Sequence, residues 1–191
     1  MRTLYVLGMA YLAVSGLALW RGPVRVPLMG GPYYAFAAPG SDGAAWFDQV
    51  KPFCNTLEVQ TMHRQHPPPA TLEGAGFGAA CWALAGRIAE AREQILALSA
   101  DDRWRAAGIV FEIGHPIADM GDDRSAGPIM ELVIEFWPNH YQALYHAGAA
   151  RFALGDWGAA ERHLREFLVY YEQQDGWTAS AKSMLGQLEA R

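Results

Sequence analysis

"GDWGAAERHL", residues 155–164, has two earlier counterparts in the chain, "GRIAEAREQI" at 86–95 and "GDDRSAGPIM" at 121–130. In each, a glycine (Gly86, Gly121, Gly155) is followed five residues later by an alanine (Ala91, Ala126, Ala160). Four residues further on stands an apolar residue: Ile95, Met130 or Leu164. The glycines recur at intervals of 35 and then 34 residues. A glycine that accepts left-handed backbone closes one helix and permits a tight turn. The alanine fits where two helices approach too closely for a larger side chain. The apolar residue one turn later lies on the same face. A repeat of this length predicts stacked helical hairpins, hence an all-α fold.

Working outward, further columns fall into register. Small residues stand at Ala79, Gly114 and Gly148, a proline at Pro138, and aromatics at Trp82 and Trp157. The pattern resembles the tetratricopeptide repeat family, whose unit is a helix–turn–helix of about 34 residues. The resemblance covers about residues 72–174, as units 72–105, 107–140 and 141–174. A helical lead-in at 44–66 precedes them, and a helix at 177–190 is expected to cap the last apolar face. "MELVIEFW" (130–137) has the composition of a strand, but the repeat register makes it a helix. Unit two departs from the pattern. Pro116 lacks the N–H that its first helix needs, and Gly127-Pro128 falls in the opening of its second. An irregular loop is therefore expected over 115–125.

The run "GAGFGAAC" (74–81) matches a loose dinucleotide fingerprint at Gly74, Gly76 and Ala79. A phosphate cradle needs a strand before those glycines, and Pro67-Pro68-Pro69 forbids one. The run reads instead as the first helix of unit one. Its small residues would let a neighbouring helix come close, the one carrying Cys54. Cys54 and Cys81 are the only two cysteines. They read either as a disulfide in an exported domain or as two buried free thiols.

Residues 4–20, "LYVLGMAYLAVSGLALW", are seventeen residues without a charge between Arg2 and Arg21. At about 1.5 Å per residue the run extends roughly 25 Å, just short of a bilayer's hydrocarbon core. With Arg2, Tyr5, Trp20 and Arg21 at the interfaces, residues 1–21 are expected to be a transmembrane anchor. Competing readings are a signal peptide and a buried helix. Against the first, the nearest small-x-small site, Ala35-Phe36-Ala37, lies far downstream. The charges flanking the run are nearly balanced. A short N-terminal tail favours an N-terminus in the cytoplasm and a periplasmic or other extracytoplasmic domain. Residues 22–43 carry Pro23, Pro27, Pro32 and Pro39 and predict an extended tether. Tyr33, Tyr34 and Phe36 on that tether suit a docking segment.

The chain of 191 residues is 51% hydrophobic and 18% charged, which supports a buried core. Its net charge of -5, with lysine only at Lys51 and Lys182, argues against nucleic acid. His63 and His66 are expected to be surface or capping residues rather than metal ligands. His140 and His146 lie near the start of unit three's first helix, and His163 is expected to be exposed on its second. Asp119, Asp122 and Asp123 lack EF-hand spacing and read as a solvated loop that caps the next helix. No nucleophile elbow, P-loop or H-E-x-x-H occurs. Neither catalysis, nor a metal or other cofactor, nor a small-molecule substrate is expected.

The resemblance implies a concave face built from first helices: Phe111 and His115 from unit two, then Gln142, Tyr145, Ala149 and Phe152 from unit three. That face is aromatic and weakly charged, and suits an apolar or aromatic protein segment. The function expected is that of an accessory or scaffold subunit of a membrane protein complex, such as a respiratory or photosynthetic one. The alternative is an anchored adaptor that recruits transient clients in envelope biogenesis. The expected partners are protein subunits and the lipid bilayer.

Overall fold

The structure, a computed structural model, describes residues 40–191. The expected membrane span with Arg2, Tyr5, Trp20 and Arg21, and the tether aromatics Tyr33, Tyr34 and Phe36, lie outside the described residues. Among the described residues no helix is long and apolar enough to cross a membrane.

The described residues are all helical, without strands. The order is α1 (Asp42–Val50), a 3-10 turn (Lys51–Phe53), α2 (Val59–Gln65), α3 (Leu72–Leu84), α4 (Ile88–Leu96) and α5 (Ala100–Asp119). Then come α6 (Asp123–Phe136), α7 (Tyr141–Ala153), α8 (Trp157–Tyr170) and α9 (Gly176–Glu189). Ser41 caps α1 by accepting from the Ala44 N–H, so helix begins before the expected end of the tether at 43. The lead-in is not one helix over 44–66. Pro52 tightens the chain into the 3-10 turn, and residues 54–58 form a loop before α2. That break separates the apolar residues of this segment: Val59 and Met62 are buried, whereas Phe53 and Leu57 face solvent.

Three hairpins follow, α3/α4, α5/α6 and α7/α8, closed by the same device. At each turn the glycine takes left-handed backbone, with φ of 73° at Gly86, 77° at Gly121 and 80° at Gly155. The glycine N–H bonds to the carbonyl three residues back, and the next N–H bonds to the carbonyl five residues back. This pairing satisfies carbonyls that a helix C-terminus otherwise leaves open. In two turns the residue after the glycine, Asp122 or Asp156, then caps the following helix through its carboxylate. Arg87 holds that position in the first turn and provides no such bond. The repeated alanines Ala91, Ala126 and Ala160 are buried, as are Ile95, Met130 and Leu164. Burying one such large side chain stabilises by roughly 1.5–3 kcal/mol.

The small column has a direct steric reason. A Cβ on Gly114 would meet Ile129 Cγ2 at 2.6 Å, and one on Gly148 would meet Leu164 Cγ at 2.7 Å. In each case a first helix lies against its own second helix.

Unit two corrects the expectation of a loop over 115–125. Helix α5 continues through Pro116 to Asp119, and the turn is confined to Met120–Asp122. Pro116 and Pro128 each remove one intrahelical hydrogen bond. Pro128 is the sixth residue of α6, not part of its first turn. Packing of Val110 and Gly114 on one side, and of Ile129, Met130 and Val133 on the other, holds both helices in place. Helix α5 also starts at Ala100, earlier than the unit boundary at 107 that the repeat pattern suggests.

Helix α3 contains "GAGFGAAC" and is buried on nearly every side. Gly76 lies where a Cβ would meet Ile109 of α5 at 2.6 Å, and Gly78 where one would meet Gln94 of α4 at 2.1 Å. The close neighbours are thus α4 and α5. Cys54 is in the loop after the 3-10 turn rather than on a helix. It is bonded to Cys81 with an S–S distance of 2.06 Å. Around this disulfide Phe47, Val50, Val59, Met62, Phe77 and Ile109 form a second core beside the larger one of the hairpins.

Candidate functional site

Helix α5 carries Phe111, His115 and Asp119 at successive four-residue steps, which places them on one face. Helix α7 brings Tyr145 and His146 up to that face. His115 Nε2 and His146 Nε2 stand 3.1 Å apart. Asp119 Oδ1 lies 3.4 Å from His115 Nε2 and 3.7 Å from His146 Nε2. All three donor atoms fall within 4.8 Å of one another. The His146 side chain is 10% exposed, that of His115 24% and that of Asp119 58%, so the cluster opens to solvent on its carboxylate side.

Aromatic rings surround it. Phe111 stacks on His115 and meets His140, which packs edge-on against Trp137. Tyr145 and Trp177 each meet His146 edge-on and stack on each other. His140 is fully buried and caps α7, its Nδ1 accepting from the Ala143 N–H at 3.3 Å. A ring nitrogen that accepts there carries no proton, so the imidazole is the neutral Nε2–H tautomer. Its Nε2 is buried and has no hydrogen-bond partner among the described residues. Burial first, then the nearby His115 and His146, lower the His140 pKa to about 4. His146 is likewise lowered to about 4, by burial and then by His115, with Asp119 acting in the opposite direction.

The concave face inferred from the repeat pattern is only partly assembled. Phe111 is core rather than surface, packed against the rings of His115 and His140. Tyr145 is covered by α9, its hydroxyl 3.1 Å from Ser180 Oγ and its ring stacked on Trp177. Phe152 packs edge-on against Trp157 at the hairpin turn. Gln142 and Ala149 remain half-buried on α7. Of the six residues, only His115 belongs to the polar cluster.

His63 and His163 also depart from expectation. His63 is half-buried: it stacks on Trp82 and meets Trp46 edge-on, and burial lowers its pKa to about 4. His66 is exposed at the C-cap of α2, as the sequence suggests, and its carbonyl accepts from Trp46 Nε1. His163 is buried, with Nε2 3.4 Å from Glu131 Oε1. Glu131 also receives Arg151, which ties α6, α7 and α8 together. Burial alone would raise the Glu131 pKa, but His163 and Arg151 outweigh it and hold the carboxyl at about 2.

Asp122 caps α6 as the sequence suggests, whereas Asp119 does not belong to a loop. Asp119 and His146 are the site members missed from sequence. The four-residue spacing of His115 and Asp119 is a legible signal, hidden by the loop expected at Pro116. His146 comes from the next hairpin, and only the fold delivers it.

A second surface feature lies on the lead-in. Phe53, Leu57, Thr61, Met62 and His66 line a groove of about 340 Å³. Leu57 there is 91% exposed and Phe53 44%.

No family model matches the chain, and neither a curated protein nor a solved structure is significantly similar to it.

Proposed function

We propose that the chain is a protein-binding scaffold, an accessory subunit of a membrane complex, built on a tetratricopeptide-like array. The observation that carries this reading is the exposed apolar pair Phe53 and Leu57 beside the lead-in groove. A leucine almost wholly in water contributes nothing to its own fold, and an apolar rim of this kind suits a protein contact. Two further features support the reading. Repeat-like hairpins hold helix faces rigidly, as a binding platform requires. The disulfide Cys54–Cys81 fixes the loop that carries Leu57 onto α3. The sequence 4–20 supplies the membrane attachment, and the domain lies on the extracytoplasmic side.

The test is a double variant, Phe53→Asp with Leu57→Asp, in the full-length chain expressed in its own membrane. Neither residue is buried, so the melting temperature is expected to stay within a few degrees of wild type. Co-migration with larger membrane complexes is expected to be lost. Retention of co-migration by the folded variant would remove the groove from the interface.

A further inference from the structure

His115, Asp119 and His146 are unassigned by the scaffold reading, and their geometry bears directly on what they hold. Donor atoms on a tetrahedron around one ion, with bonds of about 2.1 Å, stand about 3.4 Å apart. The three separations here, 3.1, 3.4 and 3.7 Å, bracket that edge. An octahedral site with the same bonds would need edges of about 3.0 Å, which the 3.1 Å pair nearly meets and the other two exceed more widely. Ring orientation agrees. Two imidazoles meeting head-on across a hydrogen bond of this length would hold their centroids about 5.4 Å apart. Two that converge on one ion through Nε2 atoms 3.1 Å apart, at an N–ion–N angle of about 95°, would hold them about 4.8 Å apart. The centroids of His115 and His146 are 4.9 Å apart, with the ring planes at 65°.

We propose that His115 Nε2, His146 Nε2 and Asp119 Oδ1 form a four-coordinate site for a zinc-class divalent cation, with the fourth position open to solvent. Two imidazoles and one carboxylate match the borderline donor preference of such ions, and disfavour calcium and magnesium, which take oxygen. The i, i+4 pair on α5 supplies two ligands from one rigid helix, and α7 supplies the third. Binding would join the hairpins α5/α6 and α7/α8 across their interface. Asp119 is the one exposed ligand, so the ion enters from its side without opening the core. The site does not depend on the scaffold reading.

The experiment uses the untagged full-length chain in detergent, stripped with a chelator and titrated with Zn2+ and then with Co2+. One equivalent of Zn2+ is expected to bind and to raise the melting temperature. Co2+ is expected to show the intense visible bands of four-coordination. His146→Gln and His115→Gln are expected to weaken binding by more than about 100-fold, beyond what loss of a ligand's outer partner costs. Asp119→Asn changes an exposed side chain and keeps the fold, and is expected to weaken binding by about 10-fold or more. His163→Gln, which alters the separate Glu131 cluster, is expected to bind Zn2+ as wild type does. Absence of saturable one-equivalent binding would overturn the site. So would affinity unchanged in Asp119→Asn and His146→Gln, or the weak spectrum of six-coordinate Co2+.

Discussion

At the scale of single residues, Gly148 and Gly158 separate two uses of the same amino acid. A Cβ at Gly148 would press on Leu164, whose backbone nitrogen is also only 3.2 Å away, whereas one at Gly158 meets nothing within 4 Å. Gly148→Ala is therefore expected to destabilise by about 1–3 kcal/mol through overpacking. Gly158→Ala is expected to be neutral or to stabilise by up to about 1 kcal/mol through helix propensity. Urea denaturation of the two variants checks both. His63 offers a pH test. Its pKa is about 4 in the fold against an ordinary value of 6.5. Between those values the unfolded chain binds a proton that the folded chain does not, so stability falls as pH falls from about 6.5 to 4. His63→Gln is expected to flatten the decline in that window, measured as urea midpoint against pH.

Among the elements, α3 shows how one covalent bond and one seam cooperate. Its glycines and alanines admit α4 and α5, and Cys81 ties it to the loop before α2. The cysteines are 27 residues apart, and a cross-link closing a loop of that size contributes about 3–4 kcal/mol in the chain-entropy account. Replacing both cysteines by serine is expected to lower unfolding free energy by about that much. Hydrogen exchange is expected to show the loosening around Phe47, Val59 and Phe77 rather than around Phe167. Much of this level was legible in sequence. Glycine–alanine–apolar spacing located all three hairpins, because turn geometry and close approach are local demands that restrict residue type. Pro116 misled, because a missing N–H is a local cost while the packing of Gly114 on Ile129 is tertiary. The burial of His163 was equally hidden, since its partner Glu131 lies 32 residues away on another hairpin.

For the whole molecule, the Glu131–Arg151–His163 contacts join α6, α7 and α8 near the seam of two hairpins. The Glu131 carboxyl is held at about 2 against an ordinary value of 4.5. Stability from that depression is present above pH 4.5 and is lost as pH falls toward 2. Glu131→Gln is expected to lower the melting temperature at pH 7 and to shrink its fall between pH 4.5 and 2. The placement of Phe53 and Leu57 in water was not legible. Their spacing fits one helix face, and only the break at Pro52 turns them outward. That outward turn is the basis of the scaffold reading, which gentle detergent solubilisation followed by native size separation tests most directly. The account predicts that the wild-type chain migrates in a fixed ratio with the subunits of a larger membrane complex. Recovery of the chain as a lone monomer under conditions that leave other membrane complexes intact would contradict it.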